Sequence, residues 1–339
     1  MPPTVWRRLG MCWRGVCDFD QYDAKRYDEY KGDRATVVRV QTRTVEADYI
    51  IGEFLGKGDF GLVKEGIHRK DSSRAALKFV ERKNLSDRDE RLLLFEAGIL
   101  TGLAHEHLVR IRSLYKWDEA YCLALEYMAG GELCQDMRRK VSYSEACARR
   151  IIFQVLDVLG FLHRRGIVHR DIKPENLLFP QPGGIDVKLA DFGLATLLSP
   201  PTYKVAEPVG TPGYAAPEVF RRIPYDGQVD VFSLGVIAFI LLAGYRPFRG
   251  SNIGEVVNAT LSCNPTFNEV QWSATTQGAR DFVKALLTLS PGERPTAEGA
   301  LFHPWMMANA RRSIPRSCSA GDRRSGRRDK ALLEDIHAQ

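Results

Sequence analysis

The sequence predicts an α+β protein of two lobes: a small β-rich N-terminal lobe with one main helix, then a larger, mainly helical C-terminal lobe. Three observations predict it. Between Tyr49 and Glu126 short apolar runs alternate with turn residues, and only residues 86–103 carry helical spacing. The pair Gly130-Gly131 follows an apolar strand-like run, where freedom from a Cβ suits a hinge. Beyond it helical periodicity dominates, and residues 231–243 are apolar almost throughout, the pattern of a helix buried on every side.

A chain of 339 residues, 44% of them apolar, holds one such two-lobed unit with tails. The expected organisation is an extension of unknown role at 1–47, a folded unit at 48–305 with lobes at 48–126 and 132–305, and a basic, flexible tail at 306–339. Much of the formal charge of +6 sits at the ends, in Arg7, Arg8 and Arg14 and in the arginines from Arg311 to Arg328. Such runs are usually solvated, so no nucleic-acid partner is expected. Seven cysteines, odd in number and without paired metal spacing, predict free thiols in a reducing compartment. Residues 1–17 lack the apolar core of a signal peptide, and 231–243 falls short of the roughly 20 residues of a membrane span. A cytoplasmic monomer without a transmembrane segment is therefore expected.

Taken in order, a strand-like piece surrounds Val37 to Val40, and residues 50–55 read as a strand leading into Gly56-Lys57-Gly58-Asp59-Phe60-Gly61-Leu62-Val63. These glycines let backbone N–H groups approach phosphates. A second strand, 62–67, follows, whereas a dinucleotide fingerprint would open a helix. The strand 74–80 places Lys78 among apolar neighbours, and an inward lysine needs a carboxylate. Glu96 supplies one from helix 86–103, where Ser86 and Asp89 resemble a capping box and Leu92, Phe95, Ile99 and Leu103 form the apolar stripe. Strands at 108–114 and 121–126 complete the small lobe.

Helix 144–164 then delivers the chain to His169-Arg170-Asp171-Ile172-Lys173-Pro174-Glu175-Asn176, a charged octet between Ile167-Val168 and Leu177-Leu178-Phe179. The short strand 187–190 ends in Asp191-Phe192-Gly193, and a long loop, of a length that is usually functional, runs to Ala216-Pro217-Glu218. Helices are expected after Asp230, at 279–289, and last in a helix ending at His303-Pro304-Trp305. A short helix at 330–336 is possible in the tail.

The glycine loop, Lys78, Glu96, the octet, Asp191-Phe192-Gly193 and Ala216-Pro217-Glu218 stand in the order and spacing of a eukaryotic protein kinase, which the chain resembles over about residues 48–305. Lys173 and Gly210-Thr211-Pro212-Gly213-Tyr214 resemble the serine/threonine branch. Gly130-Gly131-Glu132-Leu133, Gly213-Tyr214-Ala215-Ala216-Pro217-Glu218 and His303-Pro304-Trp305 resemble the calcium/calmodulin-dependent group. The expected fold is thus the two-lobed protein kinase fold, and the expected reaction is transfer of the γ-phosphoryl group of Mg-ATP to Ser/Thr hydroxyls.

The resemblance implies a role for each position. Asp171 would orient the substrate hydroxyl and accept its proton, and Lys173 would steady the transferred group. Lys78, held by Glu96, would grip the α- and β-phosphates beneath Gly56, Lys57, Gly58, Asp59, Phe60 and Gly61. Leu55, Val63, Ala76 and Leu178 would enclose adenine, with the backbone of Glu126 and Met128 bonding its edge. Asn176 and Asp191 would hold Mg²⁺, whose hard charge prefers oxygen ligands. Leu100, Ile111, His169 and Phe192 would form an apolar column between the lobes, Glu218 would pair with Arg294, and Asp230 would brace the octet. Phe232 replaces the tryptophan usual in the group.

Substrate and regulatory positions follow likewise. Glu132 and Glu175 would face an arginine three residues before the target, with Thr211 beside the substrate, so that proteins with basic Ser/Thr sites are the expected partners. Glu207 lies four residues before Thr211, where many kinases carry the phosphorylated residue that pairs with the arginine of the octet, here Arg170. A carboxylate there would partly replace the phosphate and allow activity without phosphorylation of that loop. Calmodulin is a weakly supported partner, because its control requires a long basic amphipathic helix with bulky apolar anchors, which residues 306–339 lack. The rival reading is a pseudokinase scaffold with the fold and no chemistry, against which stands the intact set of catalytic positions. A GTPase is excluded by the absence of GxxxxGK[ST].

Overall fold

Alternation along β4 (Arg74–Glu81) sets the small lobe. Ala75 and Leu77 point to one face of the sheet, and Ala76, Lys78 and Val80 to the other. In this computed structural model, which describes residues 40–58, 61–140 and 142–308, β4 is central in a six-stranded sheet. Its neighbours are β3 (Gly61–His68), β6 (Ala120–Glu126), and beyond them β2 (Tyr49–Gly58), β5 (Ile111–Lys116) and β1 (Val40–Gln41). The spatial order is β1-β5-β6-β4-β3-β2, antiparallel except for the parallel pair β1 with β5. The register aligns Val63, Lys78 and Leu123 across three strands.

Both faces of the sheet are covered. On the outer face Val45, Tyr49, Ala75, Leu77, Tyr115, Cys122 and Ala124 form their own apolar cluster. Residues 40–47, read from sequence as part of an extension of unknown role, thus supply an edge strand and the buried Val45, and Tyr115 ties the segment down by donating to the adjoining Asp48 at Oδ2, 2.8 Å away. On the inner face lies α1 (Asp87–Gly102), whose Leu93, Ala97 and Leu100 are buried at helical spacing. Of the expected stripe, Leu103 is buried; the side chains of Leu92, Phe95 and Ile99, like that of Glu96, lie outside the described set.

The hinge runs through Gly130 and β7 (Gly131–Glu132). A Cβ on Gly130 would sit 2.4 Å from the carbonyl oxygen of Gln181, and Gly131 has φ +74°, so neither position tolerates a side chain without strain. After α2 (Leu133–Arg139) comes α3 (Glu145–His163), capped by Ser144, which accepts the Cys147 amide. The large lobe is built around α5 (Gln228–Ala243), in which every residue from Val229 to Ala243 is buried. It packs on α3 and on α8 (Gln277–Leu286). Around it stand α4 (Pro217–Phe220), α6 (Ile253–Ser262) and α7 (Glu269–Trp272).

Two expectations for the C-terminal end are corrected. The helix expected at 279–289 stops at Leu286. The motif His303-Pro304-Trp305 opens a helix, α10 (Pro304–Met307), after α9 (Ala297–Leu301) has ended. The cause is local: Pro304 occupies the first helical position, where no N–H is needed, and the His303 ring accepts the Trp305 amide as a cap. Trp305 then donates its indole N–H to Glu145 Oε2 at 2.8 Å.

Cys122, Cys134 and Cys263 are free thiols as expected, whereas Cys147 is disulfide-bonded. Among the described residues no helix is long and apolar enough to cross a membrane. The readings of residues 1–39 and 309–339, including both arginine clusters and the helix at 330–336, fall outside the described residues.

Candidate active site

The octet is pinned at both ends. β8 (Ile167–Val168) pairs with β11 (Thr196–Leu197), and β9 (Leu177–Phe179) pairs with β7 and β10 (Lys188–Leu189). From below, buried Asp230 of α5 accepts the amide of His169 at 2.9 Å and that of Arg170 at 2.8 Å, with His163 Nε2 at 2.9 Å. Burial pushes the Asp230 carboxyl up, but the hydrogen bond and charge of His163, with His169, outweigh it and hold the group below its ordinary range. It stays ionised and fixes Arg170 at φ +68°, a conformation that costs a non-glycine residue on the order of 1 kcal/mol or more.

Three residues singled out in the sequence meet at Asp171. Its Oδ1 accepts the Thr211 hydroxyl at 2.6 Å, and its Oδ2 lies 2.6 Å from Lys173 Nζ. Asn176 donates to the backbone oxygen of Asp171 at 2.8 Å and to Oδ2 at 3.2 Å. Lys173 Nζ also reaches Thr211 Oγ1 at 3.3 Å. The carboxylate is thereby oriented at both oxygens, as a positioned proton acceptor requires.

Asp191 is delivered to the same place by the strand before it, where the Ala190 amide donates to the carbonyl of Asn176 at 2.9 Å. Lys78, 7% exposed, places Nζ 3.6 Å from Asp191 Oδ1. Burial raises the Asp191 carboxyl, yet the charges of Lys78, His169 and Lys173 and the Gly193 amide together keep it below the usual carboxylate range. Its side chain remains 35% exposed, open to a ligand. Phe192 packs edge-on against His169 at 4.8 Å between centroids, and Leu100 and Ile111 are buried with them, giving the apolar column. The expected contact of Lys78 with Glu96 involves a side chain outside the described set.

Above this cluster the β2–β3 hairpin pairs Gly56 with Val63, Lys57 with Leu62 and Gly58 with Gly61; Asp59 and Phe60 lie outside the described residues. A Cβ on Gly61 would stand 1.7 Å from the carbonyl oxygen of Phe79, so the hairpin closes on its neighbour only with glycine there. Leu55 is 44% exposed and Val63, Ala76 and Leu178 are half-buried, an apolar lining that is not closed over. The Glu126 amide is committed to the carbonyl of Arg110 at 2.8 Å.

Some contacts escaped the sequence reading. Lys188 donates to both carboxylate oxygens of Glu126 at 2.8 and 2.9 Å, and Arg74 stacks 3.9 Å from the Tyr127 ring centroid while pairing with Glu65. The signal for Lys188 was a lone cation in an apolar strand, the same signal that drew attention to Lys78.

Arg170 and Glu207, expected to form a regulatory pair, are also brought together. Arg170 Nη1 donates to Glu207 Oε2 at 2.7 Å and Nε to the carbonyl of Leu194 at 2.6 Å. Tyr225, not anticipated, donates its hydroxyl to the Glu207 carbonyl at 2.6 Å, and its backbone exchanges two hydrogen bonds with Val205. Farther out, Glu132 ends β7 and Glu175 lies in the 3₁₀ turn Pro174–Asn176, which packs against α2. Glu218 and Arg294 form the expected buried pair at 2.8 Å.

A two-lobed α+β fold with this constellation in the cleft agrees with the comparisons. The protein kinase domain model matches residues 49–306, and the chain belongs to the protein kinase family. Within it the chain is a serine/threonine kinase of the calcium/calmodulin-dependent kinase type. It is 36% identical over 266 residues to myosin light chain kinase A of Dictyostelium discoideum, covering 78% of this chain and 90% of that one. It is 37% identical over 268 residues to calcium/calmodulin-dependent protein kinase type 1 of Macrobrachium nipponense, covering 78% and 77%. Among solved structures, the twitchin kinase region of C. elegans superposes with a TM-score of 0.74 at 32% identity, over 83% of this chain and 50% of that one.

Proposed function

We propose that this kinase transfers the γ-phosphoryl group of Mg-ATP to serine or threonine hydroxyls in basic contexts, with arginine three residues before the target, and that it does so without phosphorylation of the segment around Glu207. The observation that carries the catalytic reading is the cluster in which Lys173, Thr211 and Asn176 converge on Asp171.

The residues present fit the nucleotide and metal. Asn176 and Asp191 offer side-chain oxygens, their backbones joined where the Ala190 amide bonds the Asn176 carbonyl, and Lys78 adds a cation against Asp191. No group of three or more His, Cys, Asp or Glu among the described residues could hold a metal alone. Mg²⁺ does not ask for one, since it takes one or two protein ligands and completes its shell with phosphate oxygens and water. When bound, Mg-ATP supplies the phosphoryl group and the divalent charge that neutralises its oxygens. Lys78 would hold the phosphates, and Leu55, Val63, Ala76 and Leu178 would enclose adenine, with Met128 and Glu126 at its edge. Asp171, fixed by Thr211 and Lys173, would orient the substrate hydroxyl and take its proton. Lys173 would then face the transferred group.

The basic context rests on Glu132 and Glu175. Glu175 Oε2 is buried with no hydrogen-bond partner, and a buried acceptor left in that state calls for a donor. A guanidinium brings several in one plane. Calmodulin as a partner is supported by the names of calcium/calmodulin-dependent relatives alone, and residues 309–339 lie outside the described part.

The test is transfer of labelled phosphate from Mg-ATP to an Arg-x-x-Ser peptide and its Ala-x-x-Ser variant, by phosphatase-treated protein without calcium. Preferential labelling of the arginine peptide, on the order of tenfold or more, is expected from one charge-assisted contact. Equal labelling would remove the basic context, and no labelling of either would remove phosphorylation-independent activity. In the same preparation Glu207→Ala is expected to lower activity about tenfold, because the Arg170 guanidinium, with its side chain 5% exposed, loses a charged partner. Unchanged activity of that variant would end the role given to Glu207.

A further inference from the structure

Glu132 occupies the position before the first residue of α2, where a side chain often accepts an amide of the first turn, yet its carboxylate makes no capping bond. Oε2 instead accepts the thiol of Cys134 at 2.9 Å. Cys134 is 9% exposed, and burial pushes its thiol far above the ordinary range, with the hydrogen bond and charge of Glu132 acting in the same direction. The sulfur therefore keeps its proton and remains a donor. Against α2 packs the turn that carries Glu175 with its unpartnered buried oxygen. One carboxylate is thus held at a single oxygen by a neutral donor, and a second nearby has an acceptor unmet.

We propose that Cys134 is a positioning residue for substrate selection: its thiol fixes the Glu132 carboxylate so that Glu132 and Glu175 together accept the guanidinium of a substrate arginine. The proposal rests on the basic-context reading above. A planar guanidinium needs acceptors at set separation, and a carboxylate on a freely rotating side chain must be ordered at the moment of binding. A thiol that orders it beforehand removes that cost from the binding step. The chemistry of sulfur suits the task. A lysine or arginine at 134 would neutralise Glu132, whereas S–H is a weak, uncharged donor that orients the carboxylate and leaves its charge for the substrate.

Cys134→Val, Cys134→Ser and Glu132→Gln in the full chain test this with the same two peptides. Cys134→Val is expected to raise KM for the arginine peptide about tenfold, with kcat within about twofold and the alanine peptide unaffected. Cys134→Ser, which keeps a donor, restores the preference. Adding Cys134→Val to Glu132→Gln changes nothing further, since the thiol acts through that carboxylate. An unaltered arginine-to-alanine ratio in Cys134→Val would overturn the proposal, as would an equal loss on both peptides, which marks a merely structural role. Were Glu132→Gln to keep the parental preference, or the parent to have none, the basic-context reading itself would fall, and the proposal with it.

Discussion

Asp171→Asn is expected to lower kcat by on the order of 10²–10³ while leaving the fold intact, the size of effect that follows removal of one contact made in the transition state. The substitution is nearly isosteric. Asparagine can still accept the Thr211 hydroxyl through its oxygen, but it brings an amide toward Lys173 Nζ, which lies 2.6 Å from Oδ2. The variant thus loses the group proposed to take the substrate proton and sets a donor facing a donor. Single-turnover phosphoryl transfer measures the loss, and nucleotide binding and thermal unfolding should move little. A kcat within about threefold of the parent would take Asp171 out of the reaction.

The second large effect concerns stability. Glu218→Gln is expected to destabilise the protein by about 3–5 kcal/mol, because breaking a buried ion pair leaves a charge uncompensated. Arg294 is almost fully buried, and its guanidinium also donates to the carbonyls of Gln228 at 2.7 Å and Thr288 at 3.0 Å while lying 5.0 Å from the centroid of the Phe232 ring. Those carbonyls are dipoles and do not balance a full charge. Urea unfolding should show a lower midpoint with an unchanged slope. A shift under about 0.5 kcal/mol would mean that the carbonyl cage alone carries Arg294. Removing both partners with apolar residues of similar volume should recover much of the loss.

The ease with which these residues could be read from sequence has a physical cause. Asp171, Lys173 and Asn176 are constrained in type by chemistry and in spacing by one short loop, so their pattern survives in the linear chain. Asp230 and the Glu218–Arg294 pair were legible for a different reason: they come with motifs whose three-dimensional partners the kinase resemblance supplies. Periodicity alone was less exact. Around α1 it gave Leu103, which is buried, but passed over the buried Leu93 and Ala97, because apolar residues there occupy more than one face and only the sheet decides which is buried. A strand-like piece is legible around Val37 to Val40, and Val40 does lie in β1, but nothing so short tells that Val40–Gln41 pairs in parallel with β5, some 70 residues along the chain. Lys188 stands as a lone cation in an apolar strand, but its partner Glu126 lies 62 positions away, and only the fold brings the two together. His303 misled because the same three residues can close one helix or open the next; the proline, with no amide to give, decides for opening.

The grip of Asp230 on the amides of His169 and Arg170 has a consequence for where motion is possible. The carboxylate belongs to a helix with no solvent-facing side from Val229 to Ala243, so the loop beneath the reacting atoms is anchored to the least yielding part of the molecule. The two amides open only when that interior opens. Whatever rearranges during a turnover must therefore come from above or beside the loop, from the sheet that carries Lys78 or from the segment that carries Glu207. The enzyme has a fixed anvil, and catalysis is controlled by what is brought down onto it.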